Sequence, residues 1–136
     1  MTHLSLLDAE FEQQFADASL PPKLFSHEAH LRLAWIHVRK YGKQQAINNV
    51  CDQIKVFDQT HGDGTMFHRT VTVVAVEAVA HFMGKVKADD FPSFIAQAPR
   101  LRTHLKDLIA QHYSWNIFTD AKAKESYLEP DLLPFR

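Results

Sequence analysis

From Gly64 to Gly84 the chain runs without a glycine or a proline, and Met66–Met83 is its most apolar segment. Val71-Thr72-Val73-Val74-Ala75-Val76 would suit a strand by propensity alone. The length of the uninterrupted span decides for a helix. The sequence therefore predicts a buried central helix over about residues 66–83. Its thin polar stripe is Arg69, Thr70, Glu77 and His81. His68 falls on the other side, in line with Thr72, Ala75, Val79 and Phe82, and is expected to point inward from the first turn. A helix this apolar must be covered by others, and the rest of the chain supplies them.

Leu4, Leu7, Phe11 and Phe15 recur at helical spacing, which predicts a first helix over about residues 4–18 with Ser5 as its cap. Leu20-Pro21-Pro22 stops it. Ser26 is a suitable N-cap for a second helix that ends at Tyr41-Gly42. A third, about residues 43–60, carries Ala46, Ile47, Val50, Cys51, Ile54 and Phe57 on one face. Cys51 is expected to be a packed, inert thiol. His61-Gly62-Asp63-Gly64 reads as a turn. Asp89 or Asp90 caps a short helix with Phe91, Phe94 and Ile95, ended by Pro99. A helix over about residues 100–112 follows, then Tyr113-Ser114 as a break, with Ser114 as cap of a turn holding Trp115 and Phe118. Asp120 caps a last short helix, Ala121–Ser126. The tail from Leu128 to Phe135 is too apolar to hang free and is expected to pack on the bundle. The sum is an all-α, single-domain bundle of about seven helices, residues 1–136.

Composition removes several functions. With 15 basic and 16 acidic side chains, and no basic block, the chain lacks the electrostatic footprint of a nucleic-acid-binding protein. No apolar run reaches transmembrane length, so no membrane role is expected. Met1–Leu7 has no basic region followed by a long apolar one, hence no signal peptide is expected. A lone cysteine excludes an internal disulfide and fits a reducing compartment. Cytoplasmic residence is the expectation. The oligomeric state, a homo-oligomer included, stays open.

Histidine is the outlier, with nine residues. In the second helix, Leu31, Ala34, Val38 and Tyr41 define an apolar arc at roughly 100° per residue. His27 and His30 lie inside that arc and His37 on its shoulder. Glu28, Arg32 and Arg39 take the opposite face and are expected in water. A buried imidazole must be hydrogen-bonded or bound to something. His27 and His30, at i and i+3, neighbour each other on one helical face. With His68 they would make a three-imidazole metal site with an open position, suited to a transition metal such as zinc, copper or iron. Asp131 or Glu129 would serve as an orienting carboxylate. Thr72 and Tyr113 would line the pocket around a small-molecule ligand.

Two alternatives stand beside the metal. In one, His68 is a general base, with Tyr113, Ser114 and Thr72 placing a substrate. In the other, the histidines are structural and the protein is a helical interaction or ligand-binding module without catalysis. If position 68 is buried in an apolar arc, leucine should be tolerated there better than aspartate.

Phe25-x-His27-x-x-His30-Leu31-Arg32-Leu33-Ala34-Trp35, Phe67-His68-x-Thr70-Val71-Thr72, Tyr113-Ser114 and Pro130-Asp131-Leu132 together resemble a family of small bacterial all-helical proteins of uncharacterised function. The resemblance spans about residues 25–132. That family usually carries Tyr-His-x-Thr-Leu-Thr at the second motif and Ala-Arg where this chain has Ala123-Lys124. The resemblance implies no substrate, cofactor or catalytic residue. It groups the three histidines within the similar stretches, and Phe67 removes the phenol usual at that position.

Overall fold

Side-chain caps mark where the helices begin. Ser26 Oγ accepts from the Ala29 amide at the start of α2 (His27–Tyr41). Asp90 does the same for Ser93 in α5 (Phe91–Gln97). Asp120 caps α8 (Ala121–Glu125) through Lys122 and Ala123. Gly42, at φ +85°, ends α2 and opens α3 (Lys43–His61), a turn only glycine makes without strain. The remaining helices are α1 (Asp8–Ala16), α4 (Arg69–Met83), α6 (Pro99–Thr103) and α7 (Leu105–Ala110). The structure is a computed structural model that describes residues 2–135; Met1 and Arg136, the ends of the expected domain, lie outside the described residues. The described residues form eight α-helices and three 3₁₀ turns, with no strand, so the all-α class holds.

Four element boundaries differ from the sequence reading, each for a local reason. The first helix begins at Asp8, after a 3₁₀ turn at His3–Ser5 capped by Thr2. Leu4 and Leu7, expected on the apolar stripe, are 49% and 73% exposed, while Phe11 and Phe15 are buried. The cause is Arg32, expected in water but only 4% exposed. Its guanidinium donates to the carbonyls of His3 (2.7 Å) and Leu6 (2.8 Å) and to Asp8 Oδ1 (2.8 Å). The guanidinium thereby holds the Leu6 carbonyl and the 3₁₀ turn, in which the Leu6 amide also donates to His3 O, apart from a helix continuous with α1.

The central helix begins at Arg69, because His68 is its N-cap rather than a first-turn residue. The expected 100–112 helix divides at His104, whose backbone (φ −136°, ψ 33°) leaves the helical region, giving α6 and α7. The turn at Ile117–Thr119 is capped by Asn116, not Ser114.

Helices α2, α3 and α4 pack on one another at the centre of the bundle. The central role assigned to α4 is shared with α2, in which every residue from Leu31 to His37 is buried. The main core joins Phe11 and Phe15, Leu31, Leu33, Trp35 and Ile36 of α2, Val50 and Phe57, Val76 and Val79, and Phe91, Phe94 and Leu101. Each of these large side chains contributes about 2 kcal/mol by leaving water. A smaller cluster holds Val74, Ile109, Tyr113, Ile117 and Ala123. Helix α4 supplies residues to both.

Cys51 is buried in α3, and burial pushes its thiol up to about 11, as befits a packing residue. The tail is tied to the bundle through backbone: Leu132 N donates to His112 O, and the His112 ring donates to Leu133 O and stacks on Phe135. Among the described residues no helix is long and apolar enough to cross a membrane.

Candidate functional site

Two grooves meet on the surface formed by α2, α3 and α4. The first, about 320 Å³, is lined by His27, His30, Leu31, Ala34, Val50, Ile54, Val71, Thr72, Ala75, Val76 and Leu105. The second, about 520 Å³, includes Phe25, His30, Phe57, His61, Phe67, His68, Val71 and Thr72. His30, Ile54, Val71 and Thr72 line both. The structure therefore brings His30 and Thr72 to the junction, with His27 on one side and His68 on the other.

His30 is held from two sides. Its Nδ1 donates to the Ser26 carbonyl at 2.8 Å, one helical turn back. Its ring stacks on Phe25 with centroids 3.6 Å apart and planes 21° from parallel. Phe25 in turn contacts Phe15 and Phe57, so the ring sits at the end of an aromatic row. Burial lowers its pKa from 6.5 to about 4, and the nearby His27 adds to the effect against the Ser26 bond. At neutral pH the ring is uncharged. Because Nδ1 carries the proton, Nε2 is a lone-pair acceptor. Phe25 is the functional neighbour that periodicity did not reveal; its five-residue offset in sequence from His30 crosses the helix cap.

His27, expected inward, is exposed. A position in an apolar arc is buried only where a neighbour covers it. At this end of α2 the neighbour is backbone: His27 Nε2 donates to the Leu101 carbonyl of α6 at 3.1 Å. That leaves Nδ1 with its lone pair.

His68 has neither ring nitrogen to spare. Nδ1 accepts from the Val71 amide at 3.1 Å, which caps α4. Nε2 donates to the Ile117 carbonyl at 2.8 Å. An imidazole with one nitrogen accepting and the other donating is fully used, so as a third metal ligand or a general base it would have to abandon its cap. Among the described residues no group of three or more His, Cys, Asp or Glu side chains is placed to hold a metal ion.

Thr72 lies where expected, in both grooves. Its Oγ1 donates to the His68 carbonyl at 2.7 Å and keeps its lone pairs. Tyr113 does not join the site. It is buried in the smaller cluster, and its hydroxyl donates to Leu128 O at 2.7 Å. Burial raises its pKa out of the ordinary phenol range. Ser114 is bound through its amide to Asp131 Oδ1 at 2.8 Å, and its hydroxyl donates to Oδ2 of the same carboxylate. Asp131 therefore holds a turn rather than orienting an imidazole. The pieces of the acid/base reading are dispersed over two clusters.

A common use of histidine emerges. His27, His30, His61, His68 and His112 each donate from a ring nitrogen to a backbone carbonyl, at Leu101, Ser26, Ala18, Ile117 and Leu133. Four of these carbonyls lie more than twenty residues away, so the imidazoles tie together segments distant in sequence. Comparison of the chain with protein-family models, with curated proteins and with solved structures finds no match.

Proposed function

We propose that the protein is a non-catalytic binding module that takes a small apolar molecule bearing one O–H or N–H donor in the groove at His30 and Thr72. The observation that carries this reading is the neutral His30 ring whose Nδ1 is committed to Ser26. The groove walls are otherwise aliphatic, from Leu31, Ala34, Val50, Ile54, Val71, Ala75, Val76 and Leu105, as small-molecule sites usually are. The polar groups there have already donated: His27 to Leu101, His30 to Ser26, Thr72 to His68. They offer lone pairs only. A matching ligand must donate, and a carboxylate is disfavoured.

Indole and its isostere benzothiophene test this, since they differ in the N–H group. At pH 7, calorimetric titration of tag-free protein should show saturable indole binding. Benzothiophene should bind about fivefold more weakly, the effect of about 1 kcal/mol for one hydrogen bond. His30→Leu should erase that difference, and Ala75→Phe, which fills the groove, should remove binding of both. Equal binding of the two probes by the unaltered protein, or undiminished binding by Ala75→Phe, overturns the reading.

A second reading rests on His27 and His30 alone. Each has one nitrogen anchored to a carbonyl and the other carrying a lone pair, which is how metal-ligating imidazoles are oriented. This pair would supply two ligands to zinc, copper or iron. A melting temperature that rises with added metal, and no longer does so in His30→Ala, supports it; no rise counts against it.

A further inference from the structure

His37 is 1% exposed, and its Nε2 has no hydrogen-bond partner. Gln53 Oε1, on the facing helix α3, is likewise buried and without a partner. Both side chains line one cleft of about 540 Å³ between α1, α2 and α3, separate from the His30 grooves. Buried polar atoms in native proteins are nearly always paired, so two orphans in one cleft call for an explanation.

The protonation of His37 follows from its neighbours. Gln45 Nε2 donates to Asn49 Oδ1 at 2.7 Å, which fixes the Asn49 amide. Asn49 Nδ2 then donates to His37 Nδ1 at 3.3 Å. With Nδ1 accepting, Nε2 carries the hydrogen. Burial lowers the pKa of this ring, despite Glu12 nearby, so it remains neutral. The wall of the cleft thus carries one unused donor and one unused acceptor, both shielded from solvent. The charges at its rim are already matched: Glu12 accepts from Lys40 at 3.0 Å and from the Tyr41 hydroxyl.

We propose that this cleft binds a neutral polar ligand, whose hydroxyl or carboxamide group accepts from His37 Nε2–H and donates to Gln53 Oε1. A charged ligand would have to break the Glu12–Lys40 pair, whereas a neutral group satisfies both orphans without touching it. The proposal stands independently of the His30 groove.

Nuclear magnetic resonance of the ¹⁵N-labelled full chain tests it, read at the His37 imidazole. D-glucose is the hydroxyl arm and nicotinamide the carboxamide arm. A saturable shift of the His37 Nε2–H signal by either probe is expected, and the probe that gives it identifies the group. Gln53→Leu, at a partly exposed helix position, should weaken that binding at least tenfold while circular dichroism shows the fold intact. His30→Leu should leave it unchanged. If neither probe shifts the signal saturably and His37 Nε2–H shows only a cross-peak to water, the orphans are satisfied by resident solvent and the proposal falls. Binding that Gln53→Leu leaves intact overturns it equally.

Discussion

His68 Nε2 lies 2.8 Å from the carbonyl oxygen of Ile117, forty-nine residues along the chain. With Nδ1 receiving the Val71 amide, one ring both starts the central helix and holds the turn that carries Ile117 of the smaller core cluster. This double use explains why a histidine, rather than serine or aspartate, stands at the cap.

Substitution of His68 separates the two uses. His68→Leu loses cap and tether and should cost about 2 kcal/mol in denaturant unfolding. His68→Asp keeps the cap, since aspartate is among the best N-cap residues, and should cost less. The predicted order is thus the opposite of that for a buried first-turn position, where leucine would be better than aspartate. Equal or smaller loss for leucine would show that the cap contributes nothing.

Arg32 should be among the most sensitive positions. Its removal leaves the Leu6 carbonyl without its side-chain donor, the His3 carbonyl with only the Leu6 amide, and Asp8 without its partner. Arg32→Met should destabilise by about 2 kcal/mol, from the lost hydrogen bonds to part-buried carbonyls. Arg32→Lys should recover little, because an ammonium lacks the planar fork that reaches both carbonyls and the carboxylate. Hydrogen exchange at residues 3–7 should accelerate in both variants before global unfolding.

Acid should destabilise the protein in a window set by its neutral histidines. The His30 pKa is pushed down from 6.5 to about 4, and those of His3 and His37 are lowered, all chiefly by burial. The unfolded chain therefore binds protons that the folded one refuses. The stability is complete above 6.5 and is lost as pH falls from there toward 4. For His30, with some solvent contact left, the loss is roughly 1–2 kcal/mol. Above about pH 5 most carboxylates remain ionised, so that part of the slope belongs to histidine. Chemical denaturation from pH 7 to 5 should show it, with a shallower slope in His30→Phe.

Tyr113→Phe tests where the tyrosine acts. It should lose about 1 kcal/mol from the missing bond to Leu128 O. Indole binding at the His30 groove should be unaffected, because Tyr113 belongs to the other cluster. An altered affinity with unchanged stability would return Tyr113 to the site.

Local chemistry made much of this fold legible. The glycine- and proline-free span, the caps at Ser26, Asp90 and Asp120, and the stop at Gly42 act within a few residues of themselves, so reading them needs no partner. The apolar arc of α2 likewise placed Leu31, Ala34 and His30 toward the interior. What covers a face, and what a polar atom meets, depends on chain far away in sequence. Nothing near Arg32 announces that the carbonyls of residues 3 and 6 will draw it out of water. Nothing near His68 announces Ile117.

The candidate site divides the same way. Helical period alone aligned His27 with His30 and gave Thr72 its side of α4. Tertiary packing chose His30 as the neutral acceptor, exposed His27, consumed both nitrogens of His68 and sent Tyr113 elsewhere. It also left His37 Nε2 and Gln53 Oε1 without hydrogen-bond partners in the wall of one cleft. Sequence determined most of the helices and their main apolar stripes, because those follow from neighbours a turn away. Only the packed structure decided which imidazole nitrogen keeps a lone pair, because that depends on the carbonyl or amide brought to its other side.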